Sequence, residues 1–435
     1  MIWVCEPLCR SFSHEKVNSG FLYSMSLAYH DEKIIFLSHK SHLKSISDIL
    51  KHDNVKIENL EYREIPFKQA GTFYSFICYF FQLYFILSSV IRSGENKIFF
   101  LSYSAPLLWI VKKLKSGFSK FQNLNFLIVL HGSFENINTE VVAQSAPVFN
   151  GTVNAIGPGN RLSSKLRKVA STSPKNIIKK IINRITDYLV RVMSFWPQIS
   201  ESLFIEKNIV GFNNAGFRYL ALSPYIIENA YKILDPRHID IRYIYMPIVF
   251  AKEKVEINNK HLKVATFGYG NSKKLSEVSN YISNSREIFS FEIRVIGMDN
   301  RETEGFSFVS TPCLGRPPSR EEMESLAKDI DFFIILYDKH KYRLSCSGSI
   351  YEALSYRKPI IYLDNECINF YNVEAGVIGI NCENTKEIAE TILKLSDNFE
   401  ESRIMINAFI QNIDLVREKV RIENNFRLLK EAYTF

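Results

Sequence analysis

The sequence predicts an α/β protein built from two parallel-sheet domains that face each other across a cleft. Three observations carry that expectation. At 435 residues the chain is too long for one ordinary core. Strand-like runs alternate with helix-length segments through the first 150 residues and again from Val264 onward, and such alternation requires crossovers and a doubly wound sheet. A charged, unpatterned stretch from Lys252 to Lys260 separates the two blocks. The expected division is therefore 1–250, 260–415 and a closing helix over 416–435 that packs back toward the first domain.

Taken in order, the first block predicts strands at Ile2–Cys5, Lys33–Ser38, Asn54–Glu58, Lys97–Ser102 and Asn125–Leu130. Helices are expected at Gly20–His30, Ser41–His52, Phe73–Arg92 and Pro106–Leu114. Alternation pauses between Gly151 and Pro197 and resumes with strands at Tyr219–Leu222 and Arg242–Tyr245 around a helix at Tyr225–Leu234. The second block predicts strands at Val264–Phe267, Phe291–Ile296, Asp331–Leu336 and Pro359–Leu363. Its helices are expected at Lys274–Ser285, Arg320–Lys328, Ser349–Tyr356, Lys386–Ser396 and Arg417–Tyr433, the second opened by a Ser319/Glu322 capping box.

Charge and composition narrow the partners. The net charge of +8 is carried by one segment, since Arg161 to Arg191 holds nine Lys or Arg and a single acid, Asp187. A local basic surface of this kind (157–193) argues against a general nucleic-acid coat, and no nucleic-acid partner is expected. Apolar residues at helical spacing from Ile177 to Val190 make the segment either a solvated basic helix or an interfacial helix on anionic lipid. Ala70 to Ile91 is 22 residues without a charge, long enough to span a bilayer, but it lies between two strands of one sheet. A buried or membrane-facing helix is the expectation there. Seven dispersed cysteines read as reduced thiols, and no secretory leader follows Met1, so a cytoplasmic protein is expected, peripheral on the inner face of the membrane. Cys5 and Cys9 are four apart, but no His or Cys pair completes a zinc-like set, and no metal or other cofactor is expected.

The most informative run is Ser345-Cys-Ser-Gly-Ser-Ile-Tyr-Glu-Ala-Leu-Ser-Tyr-Arg-Lys-Pro-Ile-Ile-Tyr-Leu363. Ser347, Gly348 and Ser349 form a small-residue helix start, whose free N–H groups and positive dipole end suit a pyrophosphate. Glu352 lies one turn further along, where it could accept hydrogen bonds from ribose hydroxyls. A second turn, Gly268-Tyr269-Gly270-Asn271-Ser272-Lys273-Lys274, follows the first strand of the second block, where glycine allows close approach to phosphates. His131-Gly132 ends a central strand of the first block, with Glu135 four residues on. His14 to Gly20 reads as a polar loop between the first strand and first helix, carrying His14, Glu15, Asn18 and Gly20.

The run around Glu352 resembles the donor motif of GT-B glycosyltransferases, in particular the large retaining family with two glutamates eight positions apart. The resemblance implies two Rossmann-like domains, a nucleotide-diphosphate sugar held on the second domain by Ser347, Gly348, Ser349 and Glu352, and a saccharide or lipid-linked acceptor on the first. It places Lys273 or Lys274 on the donor phosphates, Tyr269 where an Arg usually stands, His131 across the cleft from the sugar, and the loop with His14, Asn18 and Gly20 against acceptor and donor, with Glu15 as a candidate general base if the enzyme inverts. The first glutamate position falls on Leu344, so that Lys339, His340 or Arg343 would have to substitute. The implied activity is a metal-independent sugar transfer, as in bacterial surface-polysaccharide assembly. Two alternatives remain open: a nucleotide-sugar epimerase and a non-catalytic scaffold.

Overall fold

The computed structural model describes the chain apart from residues 12, 66–72, 133–214, 238, 251–258, 269–270, 286–287, 298–300, 315, 317 and 435, and apart from the side chains of 73–78, 105–106 and 301. Glu135, Tyr269, Gly270 and the basic segment 157–193 therefore lie outside the described residues.

All five positions of β1 (Ile2–Glu6) and β2 (Ile34–Ser38) are buried. Strands with no solvent face belong in the middle of a parallel sheet covered on both sides. They do so here, in a sheet ordered β3-β2-β1-β4-β5-β6-β7, in which β4 is Lys97–Phe100, β5 Asn125–Val129, β6 Phe217–Ala221 and β7 Ile241–Tyr243. Every neighbouring pair is parallel. The edge strand β3 is Leu60–Glu64, not the expected Asn54–Glu58. Val55 and Ile57 gave that segment its strand-like look, but they pack against the core from an irregular connection, whereas the real strand has only intermediate or exposed positions.

The second sheet runs β10-β9-β8-β11-β12-β13, again parallel throughout. Its strands are β8 (Leu262–Gly268), β9 (Phe291–Gly297), β10 (Val309–Ser310), β11 (Phe332–Ile335), β12 (Ile360–Leu363) and β13 (Gly379–Cys382). In each sheet the strand order reverses beside the first strand, between β1 and β4 and between β8 and β11. Ligands of doubly wound folds sit outside the carboxyl ends at such reversals.

Helices α1 (Glu15–Ala28), α2 (Lys40–His52), α3 (Phe73–Arg92), α4 (Ala105–Gly117) and α5 (Pro224–Tyr231) belong to the first half. The second half adds α6 (Ser272–Ser283), α7 (Arg320–Lys328), α8 (Gly348–Ser355), α9 (Glu366–Ala375), α10 (Thr385–Asp397), α11 (Phe399–Val420) and α12 (Ile422–Tyr433). Two expectations change. The His14–Gly20 stretch is not a loop, because α1 already starts at Glu15. The single closing helix over Arg417–Tyr433 is two helices, broken at Arg421, whose φ of −62° and ψ of 148° are extended.

Among the described residues no helix is long and apolar enough to cross a membrane. One continuous apolar cluster links the first sheet to Ile350, Tyr351 and Leu354 of α8, so the two halves share a core. The chain also returns on itself. Tyr433 of α12 stacks on Phe99 of β4 at 4.3 Å, and Arg218 of β6 donates to the carbonyls of Ala432 and Thr434 at 2.8 and 2.7 Å.

Candidate functional site

A cavity of about 790 Å³ opens at the reversal of the second sheet. Thr266 to Gly268 at the end of β8 and Phe333 to Asp338 along and beyond β11 form its floor, and Gly348, Ser349 and Glu352 of α8 form its wall. Local chemistry shapes each part. Ser347 caps α8, its hydroxyl accepting from Ile350 N and bonding Tyr337 Oη at 2.7 Å. It is 1% exposed, so its side chain serves the helix and not a ligand. Gly348 is exposed and a Cβ there would meet nothing within 4 Å, which leaves the first amides of α8 open to the cavity. Ser349 Oγ is tied to the Phe267 carbonyl at 3.3 Å.

Gly268 adopts φ +76°, a conformation that suits glycine. Its partner in the next strand, Gly297, has no room for a side chain, since a Cβ there would lie 2.0 Å from the Gly268 carbonyl. Gly297 thus fixes where β8 ends, a role the sequence did not single out. Of the two candidate lysines, Lys274 points to the cavity rim, 2.7 Å from Asp338, and Lys273 is exposed.

Leu344 is 4% exposed and belongs to the shared core. None of its expected substitutes lines the cavity. Lys339 pairs with Asp364 at 3.1 Å, and His340 and Arg343 approach Glu366 at 2.9 and 3.6 Å. Lys341 and Tyr342 line it instead, with Tyr342 in the left-handed region at φ 64°. Strain of that kind, of order 1–3 kcal/mol, is retained where surrounding contacts fix the loop. Those contacts come from α5. Tyr225 Oη donates to the Ser345 carbonyl at 2.5 Å, and Asn229 donates to the Arg343 carbonyl at 3.1 Å.

Opposite stands the reversal of the first sheet. Glu6, at the end of β1, is fully buried and accepts from the Leu8 and Cys9 amides at 2.9 and 3.0 Å, from Asn18 at 3.2 Å and from the Ser102 hydroxyl. Asn18 also donates to His42 Nε2 at 3.0 Å, while His42 Nδ1 donates to the Ser11 carbonyl. Burial holds His42 below its ordinary pKa, consistent with a neutral ring. Asn18 is therefore an interior network residue, not an acceptor contact. Gly20 is likewise a packing position, where a Cβ would fall 1.9 Å from the Pro247 carbonyl.

His131 and His14 meet edge to face, ring centroids 4.5 Å apart. Burial, with a smaller contribution from His14, pushes His131 down to about 3, while a hydrogen bond to the Leu101 backbone works the other way. His131 Nε2 is buried and has no hydrogen-bond partner. Gly132 then brings the strand end to the other half, since a Cβ there would sit 3.7 Å from Ser345 Cβ. His14 caps α1 in the left-handed region at φ 53°, and burial lowers its pKa too. Glu15 turns elsewhere, into a cavity of about 380 Å³ lined also by Ser41, Lys44, Asp48, His52 and Arg320. Burial raises its pKa.

No family model and no curated protein matches the sequence. Solved structures do, over nearly the full length. A glycosyltransferase from Rickettsia africae ESF-5 aligns with a TM-score of 0.55 at 12% identity, covering 99% of this chain and 97% of that one. Anabaena HepE, in complex with UDP and glucose, gives 0.54 at 9% identity over 99% of both chains. TarM gives 0.54 at 10% identity over 100% of this chain and 98% of that one. The fold is GT-B.

In GT-B terms, the larger cavity lies on the second Rossmann-like unit, and the first reaches that unit where Gly132 approaches Ser345 and Lys16 of α1 meets Glu352. The chain's one Asp-x-Asp spacing, Asp329 and Asp331, lies away from it at the start of β11. Asp331 accepts from Lys263 N and Asn259, and Asp329 pairs with Lys263 and Arg294. Among the described residues no group of three His, Cys, Asp or Glu could hold a metal ion.

Proposed function

We propose that the chain is a glycosyltransferase that moves a sugar from a nucleoside-diphosphate sugar to a saccharide or lipid-linked acceptor in bacterial surface-polysaccharide assembly, such as lipopolysaccharide or capsule. The observation that carries the reading is the cavity at the β8/β11 reversal, where the open amides of α8 stand one turn from the Glu352 carboxylate. A helix start of this kind favours a diphosphate, and a carboxylate one turn on favours a ribose diol. Helix dipole and lysines together meet the charge of the departing diphosphate, so the reading calls on no metal ion.

The transfer itself needs an acceptor hydroxyl to lose its proton as it attacks the anomeric carbon and the sugar–phosphate bond breaks. For an inverting transfer Glu15 is the proposed base, a role that requires the acceptor to extend from the polar cavity beside Arg320 to the donor sugar. A neutral His131 offers a buried, unpartnered Nε2 as a hydrogen-bond acceptor. Attachment to an anionic membrane is proposed through the basic segment and α3, where Phe81 and Phe85, one helical turn apart, are 55% and 61% exposed.

Calorimetry with a panel of nucleoside diphosphates tests the donor assignment. Glu352→Ala should weaken the tightest of them by about 1.5–3 kcal/mol, roughly 10- to 150-fold, the worth of a charged hydrogen bond. Unchanged affinity would remove the donor from this cavity. Binding without turnover of any nucleotide sugar in the presence of membrane extract would favour the scaffold, the alternative that the core position of Leu344 supports.

A further inference from the structure

Tyr225 and Asn229 of α5 each reach a carbonyl of the second half, Ser345 and Arg343. Both residues are interior, 4% and 7% exposed. Tyr225 Oη has one proton and gives it to Ser345, so the Cys367 thiol, 3.0 Å away, is the donor of the second bond. The Cys346 thiol answers in the other direction, donating to the Leu222 carbonyl at 3.1 Å. The Tyr225 ring also packs against Phe370 of α9 at 5.1 Å. Residues 343–346 are thus held by bonds that cross from the first half and that a small separation of the halves would break.

The same loop supplies Lys341 and Tyr342 to the larger cavity, with Tyr342 resting on the Tyr337 ring at 4.7 Å. Its left-handed backbone is one that a tyrosine keeps only when its surroundings impose it. The start of α8, by contrast, is capped by Ser347 from within the second half. A nucleotide with its diphosphate at Gly348 and its ribose one turn on at Glu352 carries its sugar ahead of α8. The chain that leads into the helix there is this loop.

We infer that Tyr225 and Asn229 are positioning residues for the sugar end of the donor. Neither lines the cavity. They act through the Ser345 and Arg343 carbonyls, fixing the loop that presents Lys341 and Tyr342 and thereby which sugar is accepted. The inference rests on the donor cavity proposed above. It adds a division of labour: the second half reads ribose and diphosphate by itself, and reads the sugar only with α5 docked.

The test titrates by calorimetry the tightest nucleoside diphosphate of the panel and its glucose, mannose and N-acetylglucosamine esters. Tyr225→Phe keeps the ring and removes the donor. It should weaken the best-bound ester at least about tenfold, leave the diphosphate within about twofold, and narrow the spread among the three esters. Asn229→Leu should act in the same way, and carries the comparison if Tyr225→Phe melts early. Tyr231→Phe removes a hydroxyl that α5 keeps within the first half, on the Ile241 carbonyl at 3.5 Å, and should change none of the affinities. Equal weakening of diphosphate and esters would leave Tyr225 and Asn229 a structural role only, and unchanged ester affinity would free the loop from α5. Either result overturns the inference, as would wild-type protein that binds the three esters alike. Failure of the wild type to bind any diphosphate would instead sink the donor cavity itself, before a variant is made.

Discussion

Acidification from pH 7.5 to 5.0 should destabilise the protein through His131 by an amount that can be worked out beforehand. The folded ring holds its proton only below about 3, against an ordinary value of 6.5, because burial disfavours the charged form. Unfolded chains bind that proton below 6.5, so the folded state loses ground as pH falls from 6.5 toward 3. The stability is fully present above 6.5 and drains at about 1.4 kcal/mol per pH unit inside the window. From 7.5 to 5.0 the loss comes to about 2 kcal/mol. His42 and His14 shift in the same direction, so the wild-type decline alone is not diagnostic. Urea denaturation of wild type and His131→Gln at both pH values isolates the term, and the variant should decline by about 2 kcal/mol less. Parallel pH profiles would show that the ring is accessible to protons, and the argument for a buried neutral acceptor would fail. Turnover of the same variant at pH 7.5 addresses chemistry separately: a loss of at least about tenfold with an unchanged melting temperature places His131 at the reacting atoms.

Two further outcomes follow from positions far from the chemistry. Gly20→Ala should cost at least about 2 kcal/mol in chemical denaturation, since its Cβ would overlap the Pro247 carbonyl and both partners are backbone; a neutral effect would return Gly20 to the acceptor list. Replacing Phe81 and Phe85 with Ser should weaken flotation with anionic vesicles, and raised salt should weaken it further if the basic segment contributes, because screening acts over about 8 Å at physiological ionic strength. Flotation unaffected by either change would leave α3 as an ordinary surface helix.

What could be read in the sequence follows from what carries a local pattern. β1, β2, β5 and β11 are continuous apolar runs, and their positions emerged within a residue or two. β3 did not, because an edge strand reading Leu-Glu-Tyr-Arg-Glu has little burial to enforce a pattern. The start of α1 was hidden for a different reason. Asn18, Ser19 and Gly20 resemble loop residues, but they are buried, Asn18 by the Glu6 carboxylate and Gly20 by the Pro247 backbone. The α8 start was legible, since small residues before an apolar run are a local signal. The ion pair between Lys16 and Glu352 was not, because it joins positions 336 residues apart and leaves no spacing to detect. Glu6 offered only a lone acid at a strand end.

The return of α12 to the first sheet bears on how the molecule is made. Residues 422–434 leave the ribosome after the entire second sheet, yet they supply Tyr433 against Phe99 and the carbonyls of Ala432 and Thr434 that accept from Arg218. Domains generally fold in order of synthesis. Here the first sheet emerges early but cannot close its surface until the second is complete. A nascent chain halted before residue 422 should present Phe99 and Arg218 uncovered, a form open to chaperones and to self-association. Maturation of the two halves is thereby coupled: a molecule whose first sheet is sealed is one whose second sheet has already been synthesised.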